Sequence, residues 1–419
     1  MFRTIIQGFS PLKLPNFRMY ISGQAVSLIG TWLQITAQSW VVWELTHSEA
    51  ALGIVAMLAS LPILLIGPWA GVWADRLNRR YLLIFTQAGM MLLAFTLAVL
   101  VQLKLVQIWH VYTLSALLGI ISALDFPTQQ AFLGDLAGMG EVRKAVNMNA
   151  MFLQASRMIG PALAGWVIGS WGAATAFWLN GASFLAVIGS LIAVQANQVH
   201  RPPTGNSVFG DLWEGMRFLR GQPRIQDLLL LSICITMLAL SMMTMMPAFA
   251  AEPLAGNAST LGWLLAASGA GALTSVVFLM PLAQSRRKVG LLMSLALIWA
   301  GGWFLVLSIV RWLPLAMLCL FALSLALPLV IAMAMGLIQV LSPGEMRARL
   351  LSLFTMVSFG MQPLSALLIG GASERFGVAS VSAVNGTLLV LAGLAMIFLR
   401  KGLRQWQVQA VHSGPPAAH

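Results

Sequence analysis

The stretch GPWAGVWADRLNRR, residues 67–80, sets Asp75, Arg76, Arg79 and Arg80 a few positions after Gly71. A carboxylate and guanidiniums this close can form ion pairs that make and break as the chain moves. A simple positive stop needs less than the order Gly-x-x-x-Asp-Arg-x-x-Arg-Arg. In MFLQASRMIGPALAG, residues 151–165, Arg157 has no acidic residue within fifteen positions on either side. Its planar fork suits an anionic or strongly polar ligand group. It can equally tie helices together, through Asp125 or through carbonyls freed by Pro161. Carboxylates near the apolar runs are few: Asp125 and Asp227 toward one side, Glu44 and Glu252 toward the other. Burial against a helix bundle makes Asp125 the candidate to carry a proton, or else to serve a gate.

Enzyme chemistry has less to stand on. The histidines (His47, His110, His200, His412 and His419) fall in loops or tails, and no paired carboxylates share a depth. Cys234 and Cys319 sit inside apolar runs without metal or redox spacing, which suits a packing role. No Gly-Lys-Ser/Thr phosphate loop occurs, so neither a cofactor nor ATP-driven work is expected. No metal is expected either.

The elements that must hold these charges are membrane helices. Of the 419 residues, 59% are hydrophobic and 9% charged, with mean hydropathy +0.86. A soluble domain carries about a quarter charged residues, so this chain cannot cover itself in water. A span needs about 20 apolar residues. Twelve spans are expected, at about 18–43, 51–74, 80–101, 108–127, 145–169, 174–196, 226–250, 259–282, 289–310, 314–340, 350–371 and 377–399. Of 24 Lys and Arg, 20 then fall on one side, only Lys104, Arg311 and Arg375 on the other, and Arg157 between. The basic side is therefore expected to be cytoplasmic, with both termini. The net charge of +12 reads as a topology signal, not a nucleic-acid patch. The first fifteen residues lack the apolar core of a cleaved signal, so the first span is expected to direct insertion.

The chain divides into like halves. Six spans over 1–197 precede a basic linker, 198–224, whose part 209–219 reads as a short amphipathic helix. Six more follow over 225–402, then a polar tail, 403–419, expected to be disordered. GEVRKA at 140–145 answers GEMRAR at 344–349, and Pro161 answers Pro363. Asn180-Gly181 follows Gly172 by the interval at which Asn385-Gly386 follows Gly377. Paired six-helix halves are the design of a transporter that rocks about a central site.

Polar stripes mark where that site is expected. Span one carries Gln24, Ser27, Thr31, Gln34 and Gln38 on one helix face. Span four repeats the spacing in Tyr112, Ser115, Gly119, Ser122 and Phe126, and span seven in Ser232, Thr236, Ala239, Met243 and Met246. Such faces must meet protein or water. They either bond helices together or line a cavity. Methionines are dense at 236–247, 332–336 and 355–363, the last holding Gln362, and would pack gaps or form a deformable wall. The cavity set is thus Gln34, Gln38, Ser115, Arg157, Met243, Met246 and Gln362.

The 67–80 stretch resembles the signature loop of the major facilitator superfamily. That resemblance implies a charge relay in which Asp75 and Arg79 work with an acidic residue at the end of span four, matched here by Asp125. With Gly71 and Arg76 they would form a cytoplasmic gate. Asn78 stands where the family has glycine, and span four lacks the arginine of the family's span-four motif. The stretches 16–48, ALDFPTQQAF at 123–132 and ASRMIGPALAG at 155–165 resemble the enterobactin-exporter and macrolide-efflux branch, the transmembrane secretion effectors. The resemblance implies an all-α membrane protein of twelve helices. It also implies a proton-driven exporter of small amphipathic molecules of drug, macrolide or siderophore type, monomeric in a bacterial inner membrane. A same-fold importer or lysophospholipid flippase, and a non-transporting scaffold or sensor, are the alternatives; a scaffold needs no wet interior.

Overall fold

A computed structural model of the chain describes residues 10–138, 141–194, 208–284 and 289–399. The 403–419 tail and the first part of the linker lie outside these. The N-terminal helices are α1 (Pro15–Thr46), α2 (Glu49–Arg76), α3 (Arg79–Gln102), α4 (Ile108–Ala137), α5 (Val142–Trp171) and α6 (Ala173–Ala193). The linker helix is α7 (Val208–Arg220). Then come α8 (Pro223–Ile235), α9 (Met246–Ala251), α10 (Ala258–Thr274), α11 (Met280–Gln284), α12 (Val289–Ile309), α13 (Leu313–Leu341), α14 (Gly344–Gly360), α15 (Gln362–Phe376) and α16 (Val378–Leu399).

Among the described residues, ten stretches are long and apolar enough to cross a membrane. The two expected spans not among them are α1 and α5, of 32 and 30 residues. Both exceed the needed length, but α1 carries Gln24, Gln34 and Gln38 and α5 carries Arg157. Each packs among other helices, α1 against α4, α5 and α6, and α5 against α1 and α10. Helices sheltered by neighbours can carry polar side chains that lipid would not accept.

The repeat seen in the sequence is a repeat of contacts. Asn180 on α6 donates to Gln34 Oε1 on α1 at 2.7 Å, and Asn385 on α16 donates to the Leu238 carbonyl of the seventh span at 3.2 Å. Gly181 lets α6 lie against Phe95 of α3, and Gly386 lets α16 lie against Gly301 of α12. Gly172 and Gly377, with φ of +83° and +80°, make the turns before these helices. Positive φ there is what glycine supplies cheaply.

The seventh span is not one regular helix. After α8 the backbone widens to a π turn over Thr236–Leu240, then tightens to 3₁₀ over Ser241–Met245. Such a break leaves carbonyls misaligned, and partners from other helices take them up. Ser365 donates to the Met237 carbonyl at 2.6 Å, beside the Asn385 bond to Leu238. A second π turn, Ser275–Leu279, joins α10 to α11.

At the basic ends, α7 rests on the start of α14, with Glu214 and Arg349 paired at 2.5 Å. Ser10 and Lys144 both bond Glu141, tying the segment before α1 to the start of α5. The Ser10 hydroxyl, followed by Lys144, holds the Glu141 carboxyl below the usual range.

Candidate functional site

The helices before and after α7 meet along two glycine seams. On the first, α5 lies against α10. A Cβ on Gly262 would stand 2.6 Å from the Pro161 carbonyl and 2.7 Å from Gly165 Cα. One on Gly269 would stand 2.6 Å from the Arg157 carbonyl. Ser259 donates to the Gly165 carbonyl at 2.9 Å. On the second seam α2 lies against α15, where a Cβ on Gly53 would stand 2.6 Å from the Ala366 carbonyl. Ridges of ordinary side chains hold helices about 8–10 Å apart; backbone contact of this kind needs small residues. These approaches run from the ends remote from the termini, here called the far face, to mid-depth.

Arg157 stands where the first seam stops. It is near the midpoint of α5, about 22 Å from either end at roughly 1.5 Å per residue. Pro161 has no N–H for the carbonyl four residues back, so the Arg157 carbonyl is released from the helix and meets Gly269. The guanidinium lies over the Trp32 ring of α1, 5.5 Å from its centroid. It is half-buried and forms no ion pair among the described residues. Neither Asp125 nor any other carboxylate there neutralises it. A cation–π contact is worth about 0.5–2 kcal/mol, less than a mid-membrane charge costs, so an anion or acceptor is still wanted.

The other expected cavity residues separate. Gln34 is 7% exposed and held by Asn180, so it is a bond between helices and not a cavity wall. Gln38, partly exposed, donates to the buried Ser115 of α4 at 2.8 Å. Gly119, one turn beyond Ser115, packs against α2 backbone. Met246 is fully buried as the first residue of α9, so it is not a wall either. Ser232, Thr236 and Ala239 of the same stripe are equally buried. Met243 remains partly exposed and accepts a long contact from Ser268, 3.7 Å. Gln362, partly exposed, opens α15 after the break at Met361.

Of the expected gate, the side chains of Arg79 and Asp125 are described. Side chains of Gly71, Asp75 and Arg76, at the end of α2, lie outside those described. Arg79 pairs with Asp135, its Nη1 lying 2.9 and 2.8 Å from the two carboxylate oxygens. Asp125, ten residues earlier and about 15 Å back along α4, is not its partner. The expectation that span four ends near 127 misplaced its acidic end: Pro127 sits inside α4, which continues to Ala137. Asn78, where the family has glycine, caps α3 by accepting from the Arg80 and Tyr81 amides. Arg80 in turn donates to the Leu191 carbonyl at 2.6 Å and to the Ile192 carbonyl, closing α6.

Asp125 is 7% exposed in a different setting. One carboxylate oxygen accepts from Thr86 Oγ1 at 2.6 Å and Gln87 Nε2 at 3.0 Å, both neutral and both on α3. The buried Tyr20 hydroxyl lies between Asp125 and Gln129, and Gln87 Oε1 has no hydrogen-bond partner among the described residues. Among the described residues the only hydrogen-bond donors to Asp125 are neutral.

A family model for transmembrane secretion effectors, of the major facilitator type, matches residues 6–416. The chain belongs to that family. It is a membrane transporter and not an enzyme. Among curated relatives, the multidrug efflux pump Tap of Mycolicibacterium fortuitum is 22% identical over 93% of this chain and 95% of its own. The enterobactin exporter EntS of Salmonella typhi is 24% identical over 94% of each. The crystal structure of the nucleoside transporter NupG superposes with a TM-score of 0.71 at 14% identity. The match covers 93% of this chain and 99% of that one, a likeness of fold. Sequence reasoning missed Asp135, for which the only signal was the apolar periodicity of Phe132, Leu133 and Leu136 beyond Pro127. It also missed Glu374, described below.

Proposed function

We propose that this transporter exports small amphipathic molecules bearing an anionic or strongly accepting group, by alternating access coupled to proton antiport. The carrying observation is Arg157, a half-buried guanidinium at mid-depth with an aromatic face beside it and no carboxylate among the described residues to neutralise it. Trp32 and Met243 supply apolar surface for the rest of the cargo, and Gln38 and Gln362 further polar contacts. Siderophores and drugs are the cargoes named for the relatives EntS and Tap.

The basic face is the cytoplasmic one in this reading, so both termini are cytoplasmic and the membrane is the bacterial inner membrane. The glycine seams then close the outer side and leave Arg157 approachable from within. Asp125 carries the proton, a role that the pairing of Arg79 with Asp135 leaves it free to serve.

Inverted membrane vesicles test this. A catecholate anion and a fluorescent lipophilic cation are offered with and without an imposed pH gradient. Accumulation of the anion that collapses without the gradient is expected. Uptake confined to the cation, or indifferent to the gradient, contradicts the reading.

A further inference from the structure

At the far face, two carboxyl groups meet across the boundary between the N-terminal and C-terminal helices. The first turn of α2 presents amides without helical partners. Glu374, in the last turn of α15, answers them from the other side. Its Oε2 accepts from Ser48 Oγ at 2.8 Å and from the Ala50 amide at 3.1 Å. Gly370, one turn earlier, fixes the closeness, since a Cβ there would stand 2.7 Å from the Glu49 carbonyl. Glu374 thus caps a helix of the opposite group, and can do so only while the far ends of α2 and α15 stay together.

Glu49 lies between the two residues that Glu374 holds. It is 6% exposed, and its carboxyl is within hydrogen-bonding reach of the Glu374 carboxyl. Glu252, in the turn after α9, adds a third negative charge nearby. The remaining ionisable groups on the elements that converge here are otherwise engaged or set apart. Glu44 accepts from Trp40 at 2.7 Å, and His47 packs edge-on against Trp43. The Arg375 guanidinium lies over Phe376. Arg311, with Glu252, lines a cavity of about 360 Å³ at the start of α16. Among the described residues, none of these cations forms an ion pair with Glu49 or Glu374.

Glu49 is buried and Glu374 is exposed at the rim of the seam. Two carboxylates this close cannot both ionise readily, but one shared proton turns their repulsion into a hydrogen bond. The amides of α2 favour the anion on Glu374, which leaves the proton to Glu49. We propose that Glu49 and Glu374 form a proton-binding site whose occupancy holds the far face closed. The closed form then binds one more proton than the open form. By linkage, the closed-to-open ratio falls by up to about tenfold per pH unit as pH rises. The site is separate from Asp125 and independent of which cargo is carried.

The test uses the full-length transporter in lipid nanodiscs, so that both faces meet the same pH. Spin labels on Leu105→Cys and Trp312→Cys, in a Cys234→Ser, Cys319→Ala background, report the separation of the far ends. Over about pH 5 to 9 the wild type should pass from mostly closed to mostly open. Glu49→Gln, whose amide can donate to Glu374 at any pH, should stay closed and lose the titration. Ser48→Ala should keep the titration while lowering the closed fraction at every pH. A titration that survives in Glu49→Gln overturns the proposal, as does one abolished by His47→Gln. A wild type whose separation ignores pH also overturns it.

Discussion

Arg79 at the start of α3 is paired with Asp135 at the end of α4, and both side chains are nearly buried, 7% and 10% exposed. Breaking a buried ion pair by removing one partner costs up to about 3–5 kcal/mol. Asp135→Asn should therefore lower the thermal unfolding midpoint in detergent clearly. Asp125→Asn should lower it little, because an asparagine oxygen can still accept from Thr86 and Gln87. Equal midpoints for the two variants would remove Asp135 from the structural pairing.

Asp125 is predicted to move protons and not to hold the fold or the gate. Asp125→Asn should abolish uptake driven by a pH gradient while retaining substrate counterflow, which needs conformational exchange but no net proton flux. Loss of both activities together would return Asp125 to a gating role.

The class of fold was legible because membrane insertion depends on run length and hydropathy, which are local. The repeat was legible for a related reason: Asn180 and Asn385 must reach spans one and seven from equivalent positions, so their spacing from Gly172 and Gly377 is kept. The site was less legible, because pairing is not local. Gln34 and Gln38 share a stripe, yet one meets Asn180 and the other Ser115. Of the span-seven stripe only Met243 is partly exposed, and the backbone over 236–245 abandons the regular helical period. Span four was expected to end near 127, but its helix holds Pro127 inside and runs on to Ala137, since in a helix packed on its neighbours the lost amide bond is tolerated. Arg157 could be singled out in advance because a lone charge at mid-span is costly wherever it points.

Gly262 is predicted to control the seam. Its neighbours are backbone atoms of Pro161 and Gly165 that cannot swing aside. Gly262→Ala should force α5 and α10 apart, with an overpacking cost of about 1–3 kcal/mol that shifts the population toward a far-face-open form by about 5- to 150-fold. Gly302→Ala, where a Cβ meets nothing within 4 Å, should leave the distance between the seam helices unchanged. Unchanged spacing in Gly262→Ala, read by electron–electron distance measurement across the seam, would contradict this packing.

The most direct measurement is the equilibrium affinity of a catecholate anion and of a lipophilic cation for wild type, Arg157→Gln and Arg157→Lys, with the purified transporter in nanodiscs. A charged hydrogen bond is worth about 1.5–3 kcal/mol, or roughly 10- to 150-fold in affinity. Arg157→Gln should weaken the anion by at least about tenfold and leave the cation nearly unaffected, while Arg157→Lys, keeping charge without the planar fork, should fall between. Equal losses for both cargoes, or failure of both variants to insert, would make Arg157 a structural residue and contradict its role as the cargo anchor.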